Sequence, residues 1–297
     1  MKRIHEKDLL EVSDTLYPHG RLINAKRLEG GFSCDVFILD IQTAHKESKL
    51  VFRSEGSYPA DNSIETEFNL LKVLNTTNLP VSEAIYLDTS CKILHRPFMI
   101  MSYLDGSLGT SNEKVICDHE LMATQLRNIH QIEIDKLPEL SLRVDPLDQL
   151  LSYIPKGRDW NEIRNFIKNL SIDEYKGKKC LLHGDYWPGN ILWNNENISG
   201  ILDWEYAAIG DPLADLAVTC LDARYSNGEI GMNSFKQKYL GNEKIDEYRF
   251  NLWLIYIAAS TLHYINNWNL DKQTKSIMKR ESKLTILGSF NIIKNQS

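Results

Sequence analysis

Residues 181–193 read LLHGDYWPGNILW, and residues 198–217 read ISGILDWEYAAIGDPLADLA. The first stretch carries His183-Gly184-Asp185, a Pro188-Gly189 turn, and Asn190 directly before the apolar run Ile191-Leu192-Trp193. The second is a strand ending in Asp203; soon after it, Asp211-Pro212 has the form of a helix cap followed by a first-turn proline. A tight turn over residues 195–198, with Glu196-Asn197 at its tip, makes the two strands a hairpin. Counted back from that turn, Asn190 and Asp203 fall opposite one another at the open end. Neighbouring strands lie about 4.8 Å apart, so an amide oxygen and a carboxylate there can converge on one hard cation. Mg²⁺ is commonly held by one or two protein oxygens together with substrate phosphates. Register decides this, since a one-residue slip turns a ligand to the other face. Asp185, on the preceding loop, is left without a metal role. A carboxylate beside a metal-bound phosphate suits accepting a proton from an attacking hydroxyl.

The flanks differ in texture. Upstream, an amphipathic helix around Leu9, Leu10, Val12 and Leu16 precedes strand-like runs over 22–28, 35–41 and 50–53, with Gly30-Gly31 turning between the first two. A helix capped near Asp61-Asn62-Ser63 carries Phe68, Leu71 and Leu74 on one face, and strands follow over 84–87 and 97–103. Asp105-Gly106-Ser107 is the expected linker. Beyond it helices are predicted over 114–132, 145–153, 159–170, 212–223, 231–240, 244–267 and 271–294, interrupted by the β-rich island over 181–203. The plan is α+β and bilobal, with a small antiparallel-sheet lobe over 1–103 and a larger, mainly helical lobe over 104–297.

Composition narrows the function classes. The 297 residues carry 34 Lys+Arg against 40 Asp+Glu, a formal −6, with 42 % apolar and 25 % charged residues. These are ordinary globular values that exclude fibrous and wholly disordered architectures. The acidic balance gives no global pull toward nucleic acid or anionic lipid. No apolar run approaches the roughly 20 residues of a membrane span, and Met1-Lys2-Arg3-Ile4-His5 leads into no secretory core. Cys34, Cys91, Cys117, Cys180 and Cys220 are scattered without a CxxC pair and read as reduced thiols of a cytoplasmic protein.

The set of His183, Asp185, Asn190 and Asp203 resembles the catalytic core of protein kinases, in which a loop Asp and Asn are followed by a metal-binding Asp. The pattern HGDxxxxN followed by LDWExxxxGDPxxDLA is more similar to the aminoglycoside phosphotransferase family and its relatives, the choline and macrolide kinases. The match is dense over 181–217 and weaker elsewhere. The resemblance implies a kinase-like fold with MgATP, or MgGTP, between the lobes. It implies Asp185 as catalytic base and Asn190 and Asp203 as Mg²⁺ ligands. It places Arg53 on the third strand, toward the nucleotide phosphates and oriented by Glu67 of the next helix. Gly30, Gly31 and Ser33 would cover the phosphates, and the backbone of Ser102, Tyr103 and Leu104 would meet the base edge. Arg53 departs from the lysine of protein kinases, though a guanidinium pairs with phosphate bidentately. Only residues 204–210 separate Asp203 from the helix starting at Pro212, which leaves no segment for docking a peptide, so a small hydroxyl-bearing acceptor is expected and not a protein.

Plainer roles stand beside these. Asp211 caps a helix, Asp215 supports the same helix start or the catalytic loop, and His183 braces that loop. Glu205 is open to the acceptor, the metal's outer shell or a simple ion pair. Trp253, Tyr256, Ser260 and Tyr264 share a helical face, either as core or as an aromatic cage. The acceptor stays open. Residues 205–249 carry eight acidic and five basic side chains, which suits a polycationic aminoglycoside, whereas 268–297 carry two and six. A choline-kinase-like metabolic kinase of an amino alcohol or sugar is the alternative to antibiotic resistance. A catalytically silent, nucleotide-binding pseudokinase is the alternative of a different class.

Overall fold

The computed structural model describes residues 4–28, 34–56, 61–109 and 118–296. Along the chain run α1 (Glu6–Leu16), β1 (Arg21–Arg27), β2 (Cys34–Gln42), β3 (Glu47–Glu55), α2 (Ile64–Leu74), β4 (Ala84–Asp88), β5 (Phe98–Ser102), β6 (Ser107–Leu108) and α3 (His119–His130). There follow α4 (Leu147–Tyr153), α5 (Asn161–Asn169), β7 (Cys180–Leu182), β8 (Ile191–Asn194), β9 (Asn197–Ile201), β10 (Ala208–Gly210), α6 (Leu213–Leu240), α7 (Glu247–Tyr264) and α8 (Lys272–Gln296). Two compact units result: Met1–Ile116, Glu133–Ser141 and Pro188–Ala207 form one, and Cys117–Ile132, Leu142–Trp187 and Ala208–Ser297 the other. The chain therefore contributes its β-hairpin to the first unit and resumes the second at β10.

The first unit is built on a five-stranded antiparallel sheet in the order β1-β2-β3-β5-β4. Strand alternation sorts its residues. Phe37, Leu39 and Ile41 on β2 and Leu50 and Phe52 on β3 are buried with Leu9 and Val12 of α1. Arg53 follows Phe52 and so points to the opposite face, where it meets Glu67 of α2. α2 starts where Ser63 accepts the N–H of Thr66 at 3.1 Å, and it buries Ile64, Phe68 and Leu71.

The same unit holds a three-stranded sheet, β6-β8-β9. Here the linker expectation is corrected: Ser107 and Leu108 pair with Trp193 and Leu192 as a strand. Gly106 makes this close approach at φ 151°, where a Cβ would lie 2.5 Å from Ser199 Oγ and 2.9 Å from the Trp193 carbonyl. The hairpin turn also sits one residue earlier than its sequence suggests. Asn194 pairs with Asn197, so Asn195 and Glu196 form the tip, with Asn195 at φ 55°. Asn tolerates that left-handed backbone because its short polar side chain bonds locally.

The second unit is helical around the short β7–β10 pair, in which Leu182 faces Ala208 and Cys180 faces Gly210. The two helices expected over 212–223 and 231–240 are one run, α6, broken by non-helical Asn227 and by Gly228 at φ 60°. α7 buries Phe250, Leu252, Trp253, Leu254 and Ile255 and is thus apolar nearly all round. Such a helix must be enclosed, and α7 packs against α4, α6 and α8. Arg249, at its start, is buried among polar partners. Its Nε donates to Asp211 Oδ2 at 2.5 Å, Nη2 pairs with Asp145, and the guanidinium lies 5.0 Å from the Tyr175 ring. No helix among the described residues is long and apolar enough to cross a membrane.

Candidate active site

In the first unit the chemistry gathers around Arg53. Its Nη2 donates to Asp203 Oδ1 and Glu205 Oε2, both at 2.8 Å. Its Nε lies 3.0 Å from Glu67 Oε2, but the N–H does not point along that line, so the contact is an ion pair without a formed hydrogen bond. Burial alone would lower the Arg53 pKa, yet Glu67, Asp203 and Glu205 hold the guanidinium more firmly protonated than usual. Burial pushes Glu67 up to about 7 against the pull of Arg53, with Asp203 and Glu205 adding to the rise. Both directions have one origin: three carboxylates share one cation. With all ionised, three minus one leaves an excess of two negative charges. That is the electrostatic setting in which a divalent cation, or a proton on Glu67, is welcome.

The ribbon register differs from the sequence count. Ile191 pairs with Ile201, and the Leu202 N–H donates to the Asn190 carbonyl at 2.8 Å. Asn190 therefore faces Leu202 and not Asp203, because the turn is one residue earlier and a bulge separates Leu192 from Trp193. Strand alternation would then turn Asp203 away. Instead Asp203 leaves the strand at φ 64°, a left-handed conformation that costs a non-glycine residue about 1–2 kcal/mol. Its side chain stays 33 % exposed while bonded to Arg53. The accessible Asp203 carboxylate beside surplus negative charge is a hard oxygen donor of the kind that fits Mg²⁺.

In the second unit the loop after β7 is fixed by α6. Asp215 Oδ2 accepts the His183 N–H at 2.7 Å and Oδ1 the Gly184 N–H at 3.0 Å. Thr219, one turn on, donates to the Tyr186 carbonyl at 2.7 Å. Gly184 takes φ 83°, a left-handed position that glycine occupies without steric cost. His183 is fully buried, and its Nδ1 accepts the Asp185 N–H at 3.3 Å. Asp185 Oδ2 in turn accepts Trp187 Nε1 at 3.2 Å. Burial would raise the Asp215 carboxyl, but His130 and His183 hold it below the usual range. His130 Nε2 lies 3.3 Å from Asp215 Oδ2, and its Nδ1 2.7 Å from the Tyr239 hydroxyl. Asp211 accepts Leu213 N–H at 2.9 Å and Trp253 Nε1 at 2.8 Å, which places it in the helix start and the Arg249 network.

Two of these groups carry no sequence signal. His130 belongs to no motif, and Asp222 lies beyond the patterned stretch that ends at Ala217. Asp215, Thr219 and Asp222 share one face of α6 by their spacing, so Asp222 follows the two residues that hold the loop. It has no hydrogen bond among the described residues, and burial together with the charge of Asp185 pushes its carboxyl up to about 7. In the unfolded chain an aspartate titrates near about 3.9. Between those values the folded protein keeps a proton that the unfolded chain has released. Stability is therefore undiminished below about pH 4, falls as pH rises, and carries the full penalty above about pH 7. Asp222→Asn should stabilise the protein by on the order of 1–4 kcal/mol at pH 8, with the gain shrinking toward pH 4. Urea unfolding at both pH values checks this, and a pH-independent difference contradicts it.

The remaining positions fall as follows. Gly30, Gly31 and Ser33 lie outside the described residues. Ser102 and Tyr103 donate their N–H groups to the carbonyls of Glu83 and Lys49, at 2.9 and 3.4 Å. Trp253 and Tyr256 are buried, while Tyr264 is 41 % exposed.

A sequence model of the phosphotransferase enzyme family matches residues 24–250. The chain belongs to that family. Its fold matches the GDP complex of aminoglycoside 2'-phosphotransferase-IIIa with a TM-score of 0.69 at 15 % identity, over 96 % of this chain and 99 % of the other. This mixed α+β arrangement, an antiparallel N-terminal sheet and a helical C-terminal part, is the kinase-like fold of phosphotransferases. A probable aminoglycoside 3'-phosphotransferase of Lactococcus lactis subsp. lactis (strain IL1403) is 28 % identical over 230 residues, 69 % of this chain and 84 % of that protein. Mouse acyl-CoA dehydrogenase family member 10 is 24 % identical over 252 residues, 75 % of this chain and 23 % of the mouse protein. The chain spans about a quarter of the length of the relatives bearing acyl-CoA dehydrogenase names.

Proposed function

We propose that this phosphotransferase moves the γ-phosphoryl group of ATP or GTP to a hydroxyl of a small molecule. The observation that carries the reading is the Arg53 cluster: one buried guanidinium bonded to Asp203 and Glu205 and paired with Glu67. In a phosphotransferase such a group has an evident use. Among the described residues Arg53 Nη1 makes no hydrogen bond, and in this reading it meets a phosphate oxygen. Asn190 and Asp203 would hold Mg²⁺, which when bound neutralises phosphate charge. Asp185 orients the acceptor hydroxyl and takes its proton. Asp215 and His183 keep the loop of Asp185 in place. The N–H of Leu104, which has no partner among the described residues, is the donor for the base edge. Most of the acceleration comes from positioning and charge, since phosphoryl transfer asks little covalent chemistry of the protein.

The acceptor divides into two classes. The Lactococcus relative, by its name, favours an aminoglycoside; a metabolic kinase of an amino alcohol or sugar is the alternative. Coupled turnover of ATP and GTP with Mg²⁺, across aminoglycosides, macrolides, amino alcohols and sugars, separates them. Turnover that depends on one acceptor class is the expected outcome, and Asp203→Ala should remove both turnover and metal dependence. An unaffected Asp203→Ala enzyme contradicts the reading. Nucleotide binding with no transfer to any acceptor supports instead a silent nucleotide-binding module.

A further inference from the structure

Asn62 was expected as one of three capping residues of α2. The cap is Ser63, and Asn62 turns elsewhere. It is buried, at 8 % exposure, and its backbone N–H donates to the Glu205 carbonyl at 3.0 Å. Its side-chain Nδ2 donates to the Ala207 carbonyl at 2.8 Å and lies 3.5 Å from that of Trp204. Five residues on, the Glu67 carboxylate accepts the backbone N–H of Trp204. The root of α2 thus holds residues 204–207 almost entirely through their main chain.

That segment begins directly after Asp203, the residue in the left-handed conformation. Backbone strain of this kind persists only where the surroundings over-determine it. On the upstream side the bond from Leu202 N–H to the Asn190 carbonyl fixes the chain. On the downstream side Asn62 supplies the anchors to Glu205 and Ala207. Side-chain contacts alone would not do this. Arg53 holds the ends of the Asp203 and Glu205 side chains, whereas Asn62 restrains the backbone from which those side chains start.

We propose that Asn62 is a positioning residue for the metal site: by tying residues 204–207 to α2 it fixes the turn that aims the Asp203 carboxylate. The proposal rests on the reading of Asp203 as a Mg²⁺ ligand. A purely structural Asn62 would also lose stability on truncation, because a buried carbonyl loses its donor. Only a positioning role changes metal affinity.

The test titrates Mn²⁺ into the full chain with AMP-PNP present, reading free Mn²⁺ by electron paramagnetic resonance, beside a titration of AMP-PNP without metal. Outer groups that orient a metal ligand typically contribute about 10–100-fold in affinity. Asn62→Ala should weaken Mn²⁺ binding by that factor and leave metal-free AMP-PNP binding within about twofold of wild type. Should Asn62→Ala prove too unstable to titrate, Asn62→Asp keeps the side-chain size and backbone N–H but replaces the donor, and the same loss is expected. Asp203→Asn separates the two levels. If it binds Mn²⁺ like wild type, the ligand assignment fails, and the positioning role with it. If it weakens binding while the Asn62 variant binds within about twofold of wild type, the ligand assignment stands and the positioning role alone is overturned.

Discussion

Asp185→Asn should lower kcat by on the order of 10²–10⁴, the range over which general bases contribute, with little change in nucleotide affinity or folding. The substitution is chosen because it preserves the loop. An asparagine oxygen can still accept Trp187 Nε1, which lies 3.2 Å from Asp185 Oδ2. The bonds from His183 and Gly184 to Asp215 involve main-chain donors and do not depend on the side chain at 185. What disappears is the proposed proton acceptor and a negative charge. The second loss has its own readout, since the charge of Asp185 adds to the rise of the Asp222 carboxyl. In the Asp185→Asn protein the pH-dependent penalty at Asp222 should shrink. An Asp185→Asn enzyme with wild-type kcat would remove the base from the account.

Arg249→Met should be the most destabilising of the single substitutions considered, by about 3–5 kcal/mol, because removing one partner leaves buried charge uncompensated. Asp211 is buried, bonded to Arg249 Nε and Trp253 Nε1 through one oxygen and to the Leu213 N–H through the other. Without the guanidinium its remaining donors are an indole and a backbone amide. The network also joins Asp145 and the Asp173 carbonyl to the start of α7. Combining Arg249→Met with Asp211→Asn should recover part of the loss, since the unpaired charge then goes too. Urea midpoints for both proteins give the answer. A single variant within about 1 kcal/mol of wild type, the range typical of exposed ion pairs, would mean that the network is effectively solvated.

Strands and helices were legible where period carried the signal: Phe37, Leu39 and Ile41 alternate, and Phe68, Leu71 and Leu74 recur at helical spacing. The hairpin was legible as an element but not in register. Asn195 accepts a positive φ that the letters do not announce, and the bulge at Leu192 shifts the count. The same limit hid the conformation of Asp203, since aspartate tolerates a left-handed backbone but most aspartates do not adopt one. Arg53 and Glu67 could be paired in advance only through the resemblance to a known family, which places them on neighbouring elements. His130, Asp222 and Asn62 could not. Each acts through partners far along the chain; His130 is 85 residues from Asp215 and Asn62 is 145 from Ala207. Distance in sequence erases that signal unless a motif preserves it. The linker expectation at 105–107 failed for a related reason, as a two-residue strand has no period to read.

In the proposed reaction this chain carries a phosphoryl group from a nucleotide to a small hydroxyl compound. Labelling the γ-phosphorus of ATP and of GTP and following it into the acceptor panel measures that directly. Label should appear in a new phosphate monoester with wild-type protein and Mg²⁺, and almost none with Asp185→Asn. Label that appears only as inorganic phosphate, or a monoester formed equally well by Asp185→Asn, would contradict it.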